Sequence, residues 1–210
     1  MINRVAVFID AGYLTKVLEE YYKPKIDYYK LVNWACEKEE LLRAYYYDCP
    51  PYQSANPTPE EREKMSKKQN FFAALESNPR FTLRQGRLEL RGYNDKGKPI
   101  LAQKKTDLQL GIDVARIVTE KQAGVVAIIS GDSDFIPLVQ FAQQKGVIVR
   151  LIHGPKNSYH RELWKKVDER KEITEELLYQ IKLQKKPSSI KKMVSLISPD
   201  PLSKRQGVFC

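Results

Sequence analysis

Residues 125–139, Val-Val-Ala-Ile-Ile-Ser-Gly-Asp-Ser-Asp-Phe-Ile-Pro-Leu-Val, constrain the fold more than any other stretch of the chain. An apolar run of strand length breaks at Ser130-Gly131 and is followed at once by a helical pattern. Pro137 fixes where that helix opens, because a missing N–H is harmless only in a first turn; the start belongs near Ser133 or Asp134. Val5–Ile9 is a second apolar strand, and it ends on Asp10 as the first ends on Asp132 and Asp134. Strands that feed helices in this way predict an α/β fold with parallel strands, in which ligands bind outside the carboxyl ends of the strands.

The rest of the pattern supports that class. Ala11–Tyr22 reads as a helix with Leu14, Val17, Leu18 and Tyr21 on one face, closed by Pro24, and a second helix is expected over Tyr28–Lys38. A strand over Leu41–Tyr47 follows. Thr58-Pro59-Glu60-Glu61 is a helix start, with a Thr N-cap, Pro at N1 and acids at the positive end of the dipole; this helix should run to about Glu76. Arg80–Arg91 reads as a hairpin or a strand kinked at Gly86, and Tyr93–Lys98 as a polar turn. A helix from about Asp107 to Gln122 precedes the strand at Val125; a helix over 134–145, with Gly146 at C′, precedes a strand over Val147–Ile152. Two short helices, Tyr159–Val167 and Ile173–Leu183, complete a domain expected over residues 1–183. Residues 184–210 are expected to be a basic, flexible tail.

Charge and cysteine usage narrow the function classes. The net charge of +10 is concentrated: Ile181–Cys210 carries seven Lys or Arg against Asp200 alone, whereas the remainder has 29 basic and 25 acidic residues, close to the balance of a soluble enzyme. The tail is either a solvated appendage or a polyanion contact. Cys36, Cys49 and Cys210 show no CxxC spacing, which fits reduced thiols better than zinc or a disulfide framework. No apolar run reaches the roughly 18 residues of a membrane span, and the N-terminus lacks a signal-peptide pattern, so a cytoplasmic protein without membrane contact is expected.

Acids gathered at one rim carry a chemical implication. Two carboxylates about 4 Å apart repel by about 4 kcal/mol at an effective dielectric near 20, so a cluster is tolerated only with protons or a divalent cation. Oxygen ligands suit Mg²⁺, and no His/Cys cluster is present for zinc. For Asp134 a plain N-cap is the competing reading. Gly131 would let backbone and phosphate approach closely.

The segments Val5-Ala-Val-Phe-Ile-Asp-Ala-Gly-Tyr-Leu14, Cys49-Pro-Pro-Tyr-Gln53, Thr58-Pro-Glu-Glu61, Lys104-Lys-Thr-Asp107, Asp113 and Ser130-Gly-Asp-Ser-Asp-Phe135 together resemble NYN-domain proteins of the LabA/DUF88 group, in family order and over roughly residues 3–180. The resemblance implies a branch of the PIN-like nucleases: a Rossmann-like three-layer α/β/α sandwich with a central, mainly parallel sheet and a Mg²⁺ or Mn²⁺ site that hydrolyses RNA. It places Asp10 at the first metal-binding aspartate, Asp107 at the acid opening the helix before the main motif, Asp132 and Asp134 at the strand-end pair, and Lys104 at a basic position before the second acid. Asp113, the remaining candidate among the catalytic acids, lies six residues from Asp107, about 240° around a regular helix, so both face one ion only if Asp107 sits before the helix proper; a solvent-facing or ion-paired helix residue is the alternative for Asp113. Tyr13 stands where a common family pattern, Asp-x-x-Asn, has an amide. The candidates for RNA contact are Tyr13, Lys104, Ser130, Ser133, His153 and Ser158, with Tyr52 and Arg84 as outlying ones. The Tyr-rich segments at 21–22, 28–29 and 45–47 are expected to pack in the core.

Two functions compete. One is a metal-dependent endoribonuclease using Asp10, Asp107, Asp132 and Asp134. The other is a non-catalytic RNA-binding or protein-interaction module, as a homodimer or with a partner, that retains the metal site. A haloacid-dehalogenase phosphatase is disfavoured because Gly12 stands where its second acid belongs, and neither a G-x-G-x-x-G nor a P-loop occurs.

Overall fold

The computed structural model describes residues 3–95 and 99–183, with residues 93, 103 and 104 described by their backbone alone. Strand β1 (Arg4–Asp10) runs into α1 (Ala11–Glu20) and α2 (Tyr28–Cys36) before β2 (Glu40–Asp48), and α3 (Pro59–Glu76) leads to β3 (Phe81–Gln85). A hairpin of β4 (Arg87–Tyr93) and β5 (Pro99–Lys104) follows, then α4 (Thr106–Thr119), β6 (Val125–Ile129), a 3₁₀ turn (Ser133–Phe135), α5 (Ile136–Gln144) and β7 (Ile148–His153). The described chain closes with α6 (Arg161–Lys166), β8 (Glu169–Glu172) and α7 (Glu175–Gln180).

β1 to β3 and β6 to β8 form one parallel sheet in the order β3-β2-β1-β6-β7-β8. Alternation along β1 divides the core. Val5, Val7 and Ile9 face the cluster built with α1, α2, α7 and the end of α3, whereas Ala6 and Phe8 face the cluster built with α4, α5 and α6. A sheet buried on both faces needs continuous apolar strands, which is what β1 and β6 supply. The result is the expected three-layer α/β/α sandwich. From β1 the chain moves outward through β2 and β3, then returns to the other side of β1 and moves outward again through β6, β7 and β8. The ends of β1 and β6 therefore lie side by side at the carboxyl edge, where the direction of winding reverses and where open α/β sheets bind their ligands.

Local chemistry explains most boundaries. Thr58 accepts from the Glu61 N–H at 3.2 Å while the Glu61 carboxylate accepts from the Thr58 N–H at 3.0 Å, a capping box with Pro59 in the first turn. Gly146 follows α5 at φ +76°, in the left-handed conformation expected of a C′ glycine. Tyr45, Tyr46 and Tyr47 are buried, though Tyr22 is exposed.

Four expectations are corrected. Of the two readings of Arg80–Arg91, the break at Gly86 is found and the hairpin is not: β3 adds to the parallel sheet, and the hairpin forms one step later, between β4 and β5. β8, whose sequence is Glu-Arg-Lys-Glu, is an edge strand beside β7 that carries no apolar signal. α1 ends at Glu20, before Pro24, and the chain turns at Tyr22 and Lys23 with φ of 59° and 53°. The cap after β6 is Asp132 rather than Asp134, its Oδ1 accepting from the Asp134 N–H at 2.9 Å. Cys36 and Cys49 are buried thiols. No helix among the described residues is long and apolar enough to cross a membrane. The tail over 184–210, with Cys210, and part of the polar turn at 93–98 lie outside the described residues.

Candidate functional site

Parallel pairing brings the ends of β1 and β6 together, with Ile9 in register with Ile129. Asp10 follows Ile9, and Ser130-Gly131-Asp132 follows Ile129. Asp10 caps α1: its Oδ1 accepts from the Tyr13 N–H at 3.1 Å, and its Oδ2 accepts from the Ser130 hydroxyl at 3.3 Å. Ser130, wholly buried, also accepts from the Asp132 N–H at 3.4 Å. One hydroxyl thus ties the two strand-end acids together. Asp132 and Asp134 are exposed, as is Asp107 in the first turn of α4.

Electrostatics link this set. Burial pushes the Asp10 carboxyl above its ordinary range, the Tyr13 N–H draws it down, and the negative charge of Asp107 raises it again. Asp107, though exposed as a residue, is raised by the partial burial of its carboxyl and then by the charges of Asp132 and Asp134, against a weak hydrogen bond from Thr106. Asp107 therefore shares a field with all three strand-end acids, although it comes from another element. Among the described residues no Lys or Arg forms an ion pair with any of the four.

Asp113 lies elsewhere. It is buried, accepts from the Tyr47 hydroxyl at 2.9 Å, and is gripped by Arg84 at 2.7 and 3.1 Å and Arg116 at 3.2 Å. The structure does not bring it to the rim; it is the ion-paired helix residue that six-residue spacing allowed. Arg84, expected as an outlying RNA contact, spends its guanidinium here and sits over the Tyr45 ring at 5.6 Å.

The expected RNA contacts divide in the same way. Tyr13 is buried, and its hydroxyl accepts from the Gly154 N–H at 2.9 Å and shares a hydrogen bond with Ser158 Oγ at 3.1 Å. That phenol fastens α1 to the loop after β7. His153 is buried, its Nδ1 donates to the Gly154 carbonyl at 2.7 Å, and its ring leans on Tyr159. Ser130 has no face toward solvent. Ser133 is half-exposed in the 3₁₀ turn beside Asp132, and Lys104 ends β5 just before α4. The close approach at Gly131 is made by protein, not by phosphate: a Cβ there would meet Tyr13 Cε2 at 2.4 Å and the Ser158 carbonyl at 2.6 Å. His160 N–H donating to the Gly131 carbonyl at 2.8 Å completes this lock between the β6 and β7 loops.

Among the described residues no three His, Cys, Asp or Glu side chains are grouped as a ready-made metal cage. The donor set nevertheless suits a hard divalent ion: four carboxylates sharing one field and unrelieved by a basic partner among the described residues, at the carboxyl edge of the sheet. Mg²⁺ is ordinarily held by one or two carboxylates plus waters, which demands no cage.

Sequence reasoning did not see the caps formed by Asp10 and Asp132, though Asp preceding a helical run was a sufficient signal for both. It also missed the lysines of α3 that flank this end of the sheet, because Lys64, Lys67 and Lys68 look like any solvated helix face.

Over residues 4–173 the sequence matches the NYN domain family. No curated protein matches. Among solved structures, a protein of unknown function from Vibrio parahaemolyticus is similar at 21% identity and a TM-score of 0.58, covering 82% of this chain and 93% of that one. Nicotinic acid mononucleotide adenylyltransferase from Plasmodium falciparum, complexed with NaAD, is similar at 10% identity and a TM-score of 0.34, over 84% of this chain and 78% of that one, too loosely to carry an argument.

Proposed function

The chain belongs to the NYN domain family, within the PIN-like superfamily of nuclease folds, and from that premise we propose that it is a divalent-metal-dependent endoribonuclease of the LabA/DUF88 type working at the β1–β6 rim. The observation that carries the proposal is the shared field of Asp10, Asp107, Asp132 and Asp134 at the carboxyl edge, where the chain reverses direction across the sheet. Asp10, Asp132 and Asp134 would hold Mg²⁺ or Mn²⁺, with Asp107 completing the site directly or through water. When bound, such an ion lowers the pKa of water and stabilises negative charge on phosphate oxygens.

The chain's own residues do the positioning. Ser130 sets the separation of Asp10 and Asp132 by bonding to both strand ends. Tyr13, Gly154 and Ser158 brace the β7 loop against α1 and Gly131, so that Asp132 is presented from a fixed turn. Ser133 and Lys104 stay in the proposal as RNA contacts. Tyr13, His153 and Ser158 act through the loop they hold, and Asp113 acts by fixing α4, which carries Asp107.

A second reading is favoured by one observation, the engagement of Tyr13 in the loop: an RNA-binding or protein-interaction module, in the cytoplasm, paired with itself or a partner through exposed Leu108 and Ile112 of α4. Incubation with single-stranded and structured RNA, with and without Mn²⁺, separates the two. Metal-dependent cleavage that Asp132→Asn abolishes is the expected result. Binding of RNA with no cleavage at any Mn²⁺ concentration would leave the module.

A further inference from the structure

Beside the acid rim, on the face of the sheet covered by α1, lies a groove of about 490 Å³ bordered by Thr15, Tyr28, Tyr46, Phe71 and the lysines Lys64, Lys67 and Lys68. It adjoins the candidate site through two elements. Tyr46 is in register with Ile9 and Tyr47 with Asp10, so the groove begins one strand away from the first acid. Thr15 stands on α1, the helix that Asp10 caps.

The lining has two parts of different chemistry. Tyr28, Tyr46 and Phe71 form an aromatic triangle with centroids 5.4 to 5.8 Å apart and interplanar angles of 63° to 87°. Tyr28 and Phe71 are only half-buried. The wall is cationic. Lys68 is anchored to Asp48 and lies over Phe71 and Phe72 at 5.5 and 5.0 Å. Lys67 pairs with Glu63 within its own helix, with both side chains more than half exposed; such a pair is worth little and exchanges readily for another anion. Lys64 lies one helical turn before Lys68, on the same side of α3.

Resting on the ribonuclease reading, we propose that this groove is a nucleotide subsite for single-stranded RNA flanking the scissile phosphate, with a base on Tyr28 and Phe71 and the adjoining phosphates on Lys64 and Lys67. An aromatic floor with a cationic wall is the combination that single strands use, because each base has a π-face and each phosphate a charge. Duplex RNA keeps its bases stacked and cannot reach the floor. The occupied groove sets which strand register enters the rim, leaving the acids to do the chemistry.

The test measures binding of a fluorescein-labelled single-stranded oligouridylate to the full chain in EDTA, across a salt series, so that cleavage plays no part. In Lys64→Gln/Lys67→Gln, both sites being exposed, affinity should fall about tenfold and the salt slope by about 1.4, or roughly 0.7 for each phosphate that no longer meets a lysine. Phe71→Leu should weaken binding about fivefold or more with the salt slope unchanged, as expected when a base no longer stacks on the ring. Unchanged affinity and slope in the lysine variant overturns the subsite, as does the absence of binding by the wild type. The two proposals fail separately. Weakened binding in the lysine variant beside a wild type that never cleaves keeps the subsite and removes the nuclease; wild-type cleavage with undiminished binding in the variant does the reverse.

Discussion

The two ends of the central sheet treat charge in opposite ways. Toward the start of β7, Arg150 is almost wholly buried and fully answered: Glu39 at 2.9 Å, Glu169 at 2.7 Å, Glu37 at 3.5 Å, and the Ala35 carbonyl at 3.0 Å, which closes α2. At the carboxyl edge, Asp107 stands in repulsion with Asp10, Asp132 and Asp134, and none of the four has a basic partner among the described residues. α4 repeats the contrast within one helix, since Asp113 is gripped by two arginines and Asp107, six residues earlier, by none among the described residues. Charge is compensated where the fold needs it and left uncompensated where a ligand can supply the balance.

The largest effect expected from this contrast is on stability at the compensated end. Arg150→Met should cost about 3 kcal/mol or more in urea unfolding, because it leaves a group of carboxylates facing one another around an emptied site. Metal affinity should be preserved. A variant as stable as the wild type would mean that the Arg150 network is not structural, and the comparison would collapse.

At the rim the sign reverses. Asp10→Asn and Asp132→Asn should lower metal affinity and any RNA hydrolysis by at least about tenfold, equivalent to about 1.4 kcal/mol, while melting without metal holds or rises. Asp113→Asn should show the opposite profile, a stability loss of about 1 to 3 kcal/mol from weakening the hold on Arg84 and Arg116, with the mildest change in chemistry. Activity abolished by Asp113→Asn but kept by Asp10→Asn would overturn the assignment of the rim. Millimolar Mg²⁺ or Mn²⁺ should raise the melting temperature of the wild type and shift Asp10→Asn less, which differential scanning calorimetry reads directly.

The smallest effect is in the pH dependence. Asp10 and Asp107 titrate above the ordinary 3.8 in the folded protein. Between that value and their raised ones, the folded state holds protons that the unfolded chain has released, so their contribution to stability is greatest on the acid side and is lost as pH rises through the window. Without metal, Asp10→Asn should therefore lose less stability than the wild type across that interval. Parallel curves for the two proteins would show that the Asp10 shift does not bear on folding.

Much of this was legible in the chain. Val5–Ile9 and Val125–Ile129 announce buried strands whatever surrounds them, Thr58 to Glu61 specifies its own capping box, and Pro137 confines the helix start to a few residues. Each of these signals acts between neighbours in sequence. β8 was not legible, because Glu-Arg-Lys-Glu becomes a strand only through the exposed edge that β7 offers. The hairpin was displaced for a similar reason: β3 has a vacant partner in β2, and that pairing wins over the local turn at Gly86.

The sequence by itself determined that acids end two apolar strands and that oxygen ligands, not thiolates, are available, because strand periodicity and residue chemistry are local properties. Only the tertiary structure decided which acids meet. The helical spacing of Asp107 and Asp113 lets both face one ion only if Asp107 precedes the helix; the structure starts α4 at Thr106, and Arg84 and Tyr47, arriving from β3 and β2, claim Asp113. The same holds for Ser130, Tyr13 and His153, whose polar groups look available along the chain and are consumed when the β6 and β7 loops close over them. The lysines of α3 reverse the case: unremarkable in sequence, they become a cationic wall because the fold lays their helix beside Tyr28 and Tyr46. Long-range packing assigns each polar group a partner or leaves it facing solvent, and no window of neighbouring residues contains that information.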